Sequence, residues 1–144
     1  MDGLSGAASV TAILHISVKV ASLCFEYSVD VKNAKDDIER VKRKVDDITH
    51  VLEKMEQLLN RQDKTHLSTT HGLFDSIEQC HQELKGLEAK LEANLKPSNA
   101  RKAMGRFGMR AFKWPFTSKR VDEIILALKG YEQTFTLALQ VDQT

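Results

Sequence analysis

The chain has 144 residues, a formal net charge of +1, two cysteines, two prolines and seven glycines. That is the size of one ordinary domain, able to bury roughly two thirds of its unfolded surface. Two cysteines far apart argue against a disulfide framework and read as reduced core thiols of an intracellular protein, while scarce proline and glycine favour long helices over a many-turned β fold.

The first expected element, residues 1–25, differs in composition from all that follows. Gly3 to Val18 carries no formal charge, and only Lys19 interrupts before Phe25. Such a leader needs a covering surface, which could be the protein's own core, another copy, or a lipid bilayer. It is no conventional address: Asp2 is the only charge before Lys19, where a secretory signal needs a basic region. Asp2 also stands where myristoylation needs glycine. Sixteen uncharged residues make about 24 Å of helix, short of the roughly 30 Å hydrocarbon core. Running on to Phe25 reaches the length, with Lys19 left to snorkel. Ser5, Ser9, Thr11 and Ser17 lower the hydrophobicity, so a constitutive anchor is not expected. The expectation is a helix that rests in the protein and inserts conditionally, with Leu4, Val10, Ile13, Leu14 and Val18 as membrane-insertion candidates. The alternative is a core helix that lacks charge because it is buried on all sides.

Further along, Ala34, Ile38, Val41, Val45, Ile48, Leu52, Met55 and Leu59 follow alternating steps of four and three, a sustained heptad seam between charged positions. Asn33 is the expected N-cap, with Asp36 and Asp37 suited to the first turn. Glu26 to Lys32 holds no Gly or Pro, which leaves a single bent helix open there. Lys64 to Thr70 is polar and reads as a loop. A second seam follows through Leu73, Ile77, Cys80, Leu84, Leu87 and Leu91, ending before Lys96-Pro97-Ser98-Asn99. The last helix is expected from near Ser118, with Val121, Ile125, Leu128, Phe135 and Leu139 on one face. Amphipathic segments of this kind are unstable singly and pack together. The predicted fold is therefore all-α: one domain over 1–144, a bundle of four main helices plus a short basic helix before the last.

That basic connector, residues 96–120, holds eight basic residues and no acidic one, which leaves about seven net negative charges on the rest. Arg101, Lys102, Arg106, Arg110 and Lys113 interleave with Met104, Phe107, Met109, Phe112 and Trp114. One reading is a short amphipathic helix laying its aromatics on the bundle, although Gly105 and Gly108 each cost about 1 kcal/mol of helix propensity. The other is an interfacial helix whose cations meet anionic headgroups, with Trp114 at the boundary. Cations with aromatics also suit single-stranded nucleic acid, but no recognised motif supports specific binding.

Catalytic signals are lacking: there is no phosphate loop, HExxH helix, CxxC pair or nucleophile elbow. His66, His71, Cys80 and His81 are zinc-competent residue types, yet their spacing matches no familiar site. Neither an enzyme nor a cofactor or metal is expected.

Three blocks carry a family resemblance: Met1-Asp2-Gly3-Leu4-Ser5-Gly6-Ala7-Ala8-Ser9-Val10; Lys113-Trp114-Pro115-Phe116; and Tyr131 with Gln133-Thr134-Phe135 and Leu137-Ala138-Leu139-Gln140. They resemble the HeLo-like N-terminal domains of fungal STAND proteins, NLR-like receptors with a NACHT or NB-ARC NTPase and often repeats downstream. The resemblance covers essentially the whole chain. It implies an α-helical bundle acting in programmed cell death or heterokaryon incompatibility, in which oligomerisation releases the N-terminal helix into the plasma membrane from a cytoplasmic resting state. Its implied partners are anionic membrane lipids, further copies of the chain, and an NTPase–repeat receptor module. No NTPase motif precedes Thr144, so that module is expected elsewhere in cis or in trans. A cytosolic adaptor that recruits partners through helix faces, for instance by extending the Ala34–Leu59 heptads into an intermolecular coiled coil, is the alternative.

Overall fold

The computed structural model describes residues 5–31, 33–61, 73–95 and 113–143. They form four helices: α1 (Ser5–Asp30), α2 (Lys35–Arg61), α3 (Leu73–Leu95) and α4 (Ser118–Gln143). The architecture is an all-α bundle, and no strand occurs among the described residues. The expected Lys64–Thr70 loop lies outside those residues. So does the short basic helix, apart from Lys113–Thr117, which is irregular backbone.

α1 and α2 are separate helices. After α1 the Val31 amide still donates to the Tyr27 carbonyl at 2.8 Å, and Asn33 and Ala34 form a turn. Ile38 donates to the Ala34 carbonyl at 2.9 Å, which makes Ala34 rather than Asn33 the residue that opens α2's hydrogen-bond ladder. Asp36 and Asp37 occupy the first turn of α2, where the helix dipole favours carboxylates. α4 is capped by Thr117: its carbonyl receives the Val121 amide, and its hydroxyl accepts from the Arg120 amide at 3.0 Å.

Contacts join α1 to α2, α1 to α3, α2 to α4 and, more thinly, α3 to α4, so α1 and α4 stand on one diagonal of the bundle. Thr11 of α1 donates to Glu56 of α2 at 2.8 Å, and the Thr49 hydroxyl lies 3.0 Å from Ser17. Rising numbers on one helix meet falling numbers on the other, so this pair is antiparallel. Ser118 reaches Asp37, Arg40 reaches Asp122 and Lys44 reaches Glu132. Both series rise together, so α2 and α4 run parallel.

The core is built by seams at heptad spacing. Ile38, Val41, Val45, Ile48, Leu52 and Met55 of α2 are fully buried, as are or nearly are Leu73, Ile77, Cys80, Leu84, Leu87 and Leu91 of α3. On α4 the deepest positions are Val121, Ile124, Leu128, Phe135 and Ala138, while Ile125 and Leu139 are half-buried. Val121, Leu128 and Phe135 are buried as expected, while Ile124 and Ala138 take the inward places expected of Ile125 and Leu139. Adjacent apolar pairs at 124/125 and 138/139 leave the centre of its apolar arc undefined in the sequence.

Candidate membrane-contact site

α1 carries two apolar seams rather than one. Its inward seam is Val10, Ile13, Ser17, Val20, Cys24, Tyr27 and Val31, alternating steps of three and four, and every member is buried. Ser17 is the polar member; its hydroxyl donates to the Leu14 carbonyl at 2.9 Å and lies against Thr49 of α2. Burial without a partner would cost this hydroxyl about 1–3 kcal/mol; the Leu14 carbonyl takes its proton and Thr49 meets its oxygen, which admits a serine to the seam. Tyr27 donates from its phenol to the Leu91 carbonyl of α3 at 2.9 Å.

The opposite face of α1 has a second seam at the same spacing: Val18, Ser22, Phe25 and Val29. Val18, Phe25 and Val29 are 53%, 58% and 62% exposed. Lys19 flanks this stripe and is drawn toward α3, bridging Glu92 and, at 3.4 Å, Glu88. Hydrogen bonds to Glu92 and then Glu88 hold its ammonium pKa above the usual lysine value. The stretch Val10–Val29 is long and apolar enough to cross a membrane, and 39% of its most apolar window is buried in the bundle.

The residues singled out from sequence therefore divide. Val10 and Ile13 are fully buried, Leu14 is half-buried against the core, and Val18 faces out. Leu4, Arg101, Lys102, Arg106 and Arg110 lie outside the described residues. Lys113 is exposed. Trp114, expected at a lipid boundary or on the bundle, is half-buried on the bundle: its ring meets Tyr27 edge-on at 5.4 Å and Phe116 at 5.2 Å. Its indole Nε1 is buried without a hydrogen-bond partner among the described residues. The Tyr27–Trp114 contact ties the connector to α1 just beyond the leader's expected end. Phe25, Val29 and the Lys19 bridge escaped the sequence reading. All three depend on which phase of α1 the other helices cover, and the leader's own residues do not show that.

Both cysteines are free and buried. Desolvation pushes each thiol up to about 12, which keeps both neutral and poor as nucleophiles or ligands. Among the described residues no His, Cys, Asp and Glu side chains cluster as a metal site; His66 and His71 lie outside them. An open polar depression lined by Asn33, Lys35, Asp36, Asp37 and Ser118 sits where α2 and α4 begin. Its carboxylates are accounted for by helix dipoles and by the Ser118–Asp37 hydrogen bond of 2.8 Å.

Over residues 1–142 the chain matches the family model described as pigment biosynthesis cluster protein PigL N-terminal, and it belongs to that family. No curated protein and no solved structure matches it.

Proposed function

We propose that this chain is a HeLo-like N-terminal effector and signalling domain of a fungal NLR-like protein. It acts in programmed cell death or heterokaryon incompatibility by oligomerising and conditionally inserting α1 into the membrane. One observation carries this reading: α1 is apolar on two opposite faces, and the bundle covers only one of them. A lipid bilayer is a medium that surrounds such a helix and buries both faces at once. Val10–Val29 spans 20 residues, about 30 Å at the helical rise, the thickness of a hydrocarbon core.

Conditionality has a physical source. The inward seam would exchange protein burial for lipid burial at little gain, while the outward seam would gain outright. Lys19 and Glu26, charged and within the span, oppose entry, and the bridges from Lys19 to Glu88 and Glu92 hold the resting position. Clustering by an NTPase–repeat receptor in cis or in trans raises the local concentration that favours release. The basic residues of 96–120, Arg101 to Lys113, would then meet anionic headgroups as the protein passes from the cytoplasm to the plasma membrane.

Dye release from anionic liposomes tests the reading. Because Val10 is in the core, a charge there would break the bundle; Val29→Glu, on the exposed face, is the cleaner probe. The parent is expected to release dye and the folded variant to be silent. No release by the parent, even when it is forced to oligomerise, overturns membrane execution. The adaptor reading then stands, on the outward stripe of α1 rather than on α2, whose seam from Ile38 to Met55 is consumed inside the bundle.

A further inference from the structure

α1 is not the only helix with an unpartnered apolar stripe. Leu126 and Leu137 of α4 are 72% and 61% exposed, and with exposed Gly130 and Gln133 between them they repeat the four-three-four steps of Val18, Ser22, Phe25 and Val29. Each stripe lies opposite its helix's buried seam. Since α1 and α4 are diagonal in the bundle, the stripes look out from opposite sides of the molecule. Two matching surfaces on opposite sides make a heterologous contact, which propagates from copy to copy.

We propose that the outward stripe of α1 in one copy docks on the outward stripe of α4 in a second copy, with the two helices parallel. This deepens the functional reading by naming the surface for its self-association, and it rests on that reading only for its purpose.

Charge complementarity selects both the occupant and the direction. In heptad terms Val18 and Phe25 are d positions and Ser22 and Val29 are a positions, so Lys19 and Glu26 fall at e. On α4 the same frame puts Leu126 at d, Gly130 at a, and Asp122 and Lys129 at g. In a parallel pair each g residue faces the e residue five positions further along its partner, where charges set partner and orientation. Aligning Leu126 with Val18 sets Asp122 against Lys19 and Lys129 against Glu26. Both pairs are of opposite sign. Their other flanks are small or uncharged: Ala21 against Thr134, and Leu14 against Ala127. The layers place Val18 over Leu126, Ser22 over Gly130, whose Cβ position meets nothing within 4 Å, Phe25 over the aliphatic stem of Gln133, and Val29 over Leu137. The antiparallel alternative matches no charges, because Lys19 and Glu26 would then meet Ala127 and Thr134. Lys19 already bridges α3 and Asp122 already holds Arg40 at 2.7 Å, so Glu26 with Lys129 is the discriminating pair.

Within one copy α1 runs antiparallel to α2 and hence to α4. A parallel contact therefore turns each copy end for end relative to the one before; repeated, that operation is a twofold screw, so the assembly grows as an open chain.

Sedimentation velocity of the full chain over a range of concentrations, without lipid, tests this. The parent is expected to grow beyond a dimer. Glu26→Lys and Lys129→Glu, both at exposed positions and checked for parental helicity, are each expected to weaken association roughly three- to tenfold. Mixing the two variants is expected to restore it, because every contact in the mixture again pairs opposite charges. A parent monomeric at every concentration, a Lys129→Glu variant that associates as the parent does, or a mixture no better than its components overturns the proposal. Association is read without lipid and dye release from forced oligomers, so loss of this contact leaves the membrane reading standing and loss of dye release leaves this contact standing.

Discussion

α1 and α2 are nearly equal in length, at 26 and 27 residues, and pack against each other along the whole bundle. Their inward faces are alike, each a buried heptad seam. Their outward faces are not. α2 turns Glu39, Arg43, His50 and Glu53 to water, with Arg43–Glu39 and His50–Glu53 contacts at 3.6 and 3.7 Å along its surface. α1 turns Val18, Phe25 and Val29 to water. Charges on its outer face commit α2 to one environment, because no apolar surroundings could accept them. α1 is less committed, with only Lys19 and Glu26 flanking its stripe. The difference shows that a helical bundle folds on the inward half of each helix, and that the other half is free to be selected for something else.

The inward seams should behave alike when damaged. Tyr27→Ala removes a fully buried ring, its hydrogen bond to Leu91 and its edge contact with Trp114, and is expected to cost about 3–5 kcal/mol in denaturant unfolding. Ile48→Ala on α2 should cost about 2–5 kcal/mol. A loss under 1 kcal/mol at Tyr27 would mean that α1 is held less firmly than α2, and would break the equivalence.

Alkaline pH tests the same seams chemically. Cys24 faces Lys42 and Asp46 of α2, and desolvation raises its thiol from 9.0 to about 12, as it does that of Cys80. Above pH 9 the unfolded chain releases these protons and the folded chain keeps them, so the unfolded state binds fewer and stability falls as pH rises. Lys19 and Lys44, raised by hydrogen bonds to Glu92 and Glu132, lose their contribution in the same direction as pH passes their folded values. Stability should be flat from pH 7 to 8 and decline above 9, by roughly 1.4 kcal/mol per pH unit for each thiol. Cys24→Ala should make the decline shallower. A flat profile to pH 11 would show that the thiols are not desolvated.

The outward faces should part company. Phe25→Gln and Val29→Gln remove no buried contact and should change stability by about 0.5 kcal/mol or less, yet reduce vesicle binding severalfold. Substituting Arg43 of α2 by Gln should alter neither. Equal effects on the two helices would erase the contrast.

Legibility in the sequence followed how many phases of the heptad each helix fills with apolar residues. The α2 and α3 seams were readable because charged residues fill the intervening positions, so only one phase of the heptad is apolar. α1 lacks those charges, and its two phases merged into one featureless apolar run; the core role of Val10 and the surface role of Phe25 separate only when α2 and α3 are in place. α4 failed by one position at Ile124 and Ala138 for the related reason that its apolar arc is broad. Trp114 was read by composition with its basic neighbours, whereas its partners, Tyr27 and Phe116, are set by the closing of the bundle. The bridge from Lys19 to Glu88 and Glu92 is a tertiary fact with no local sign.

That bridge gives the smallest expected effect on stability and the sharpest use of the contrast. Lys19 is the only charge between Val10 and Phe25, and its partners are on α3 rather than on its own helix. A solvent-accessible ion pair of this kind contributes little to a fold, since water screens it and ordering two long side chains offsets the attraction. Lys19→Leu should leave the denaturation midpoint within error of the parent. In lipid the balance reverses, because an ammonium within the span must be dehydrated or snorkel to the surface. The same variant should bind anionic vesicles severalfold more tightly and release dye faster. If vesicle binding instead drops with the fold intact, Lys19 is serving as a contact to headgroups rather than as a restraint on α1. A helix that inserts must gain from losing its charge; a helix that merely rests on the membrane surface must lose by it.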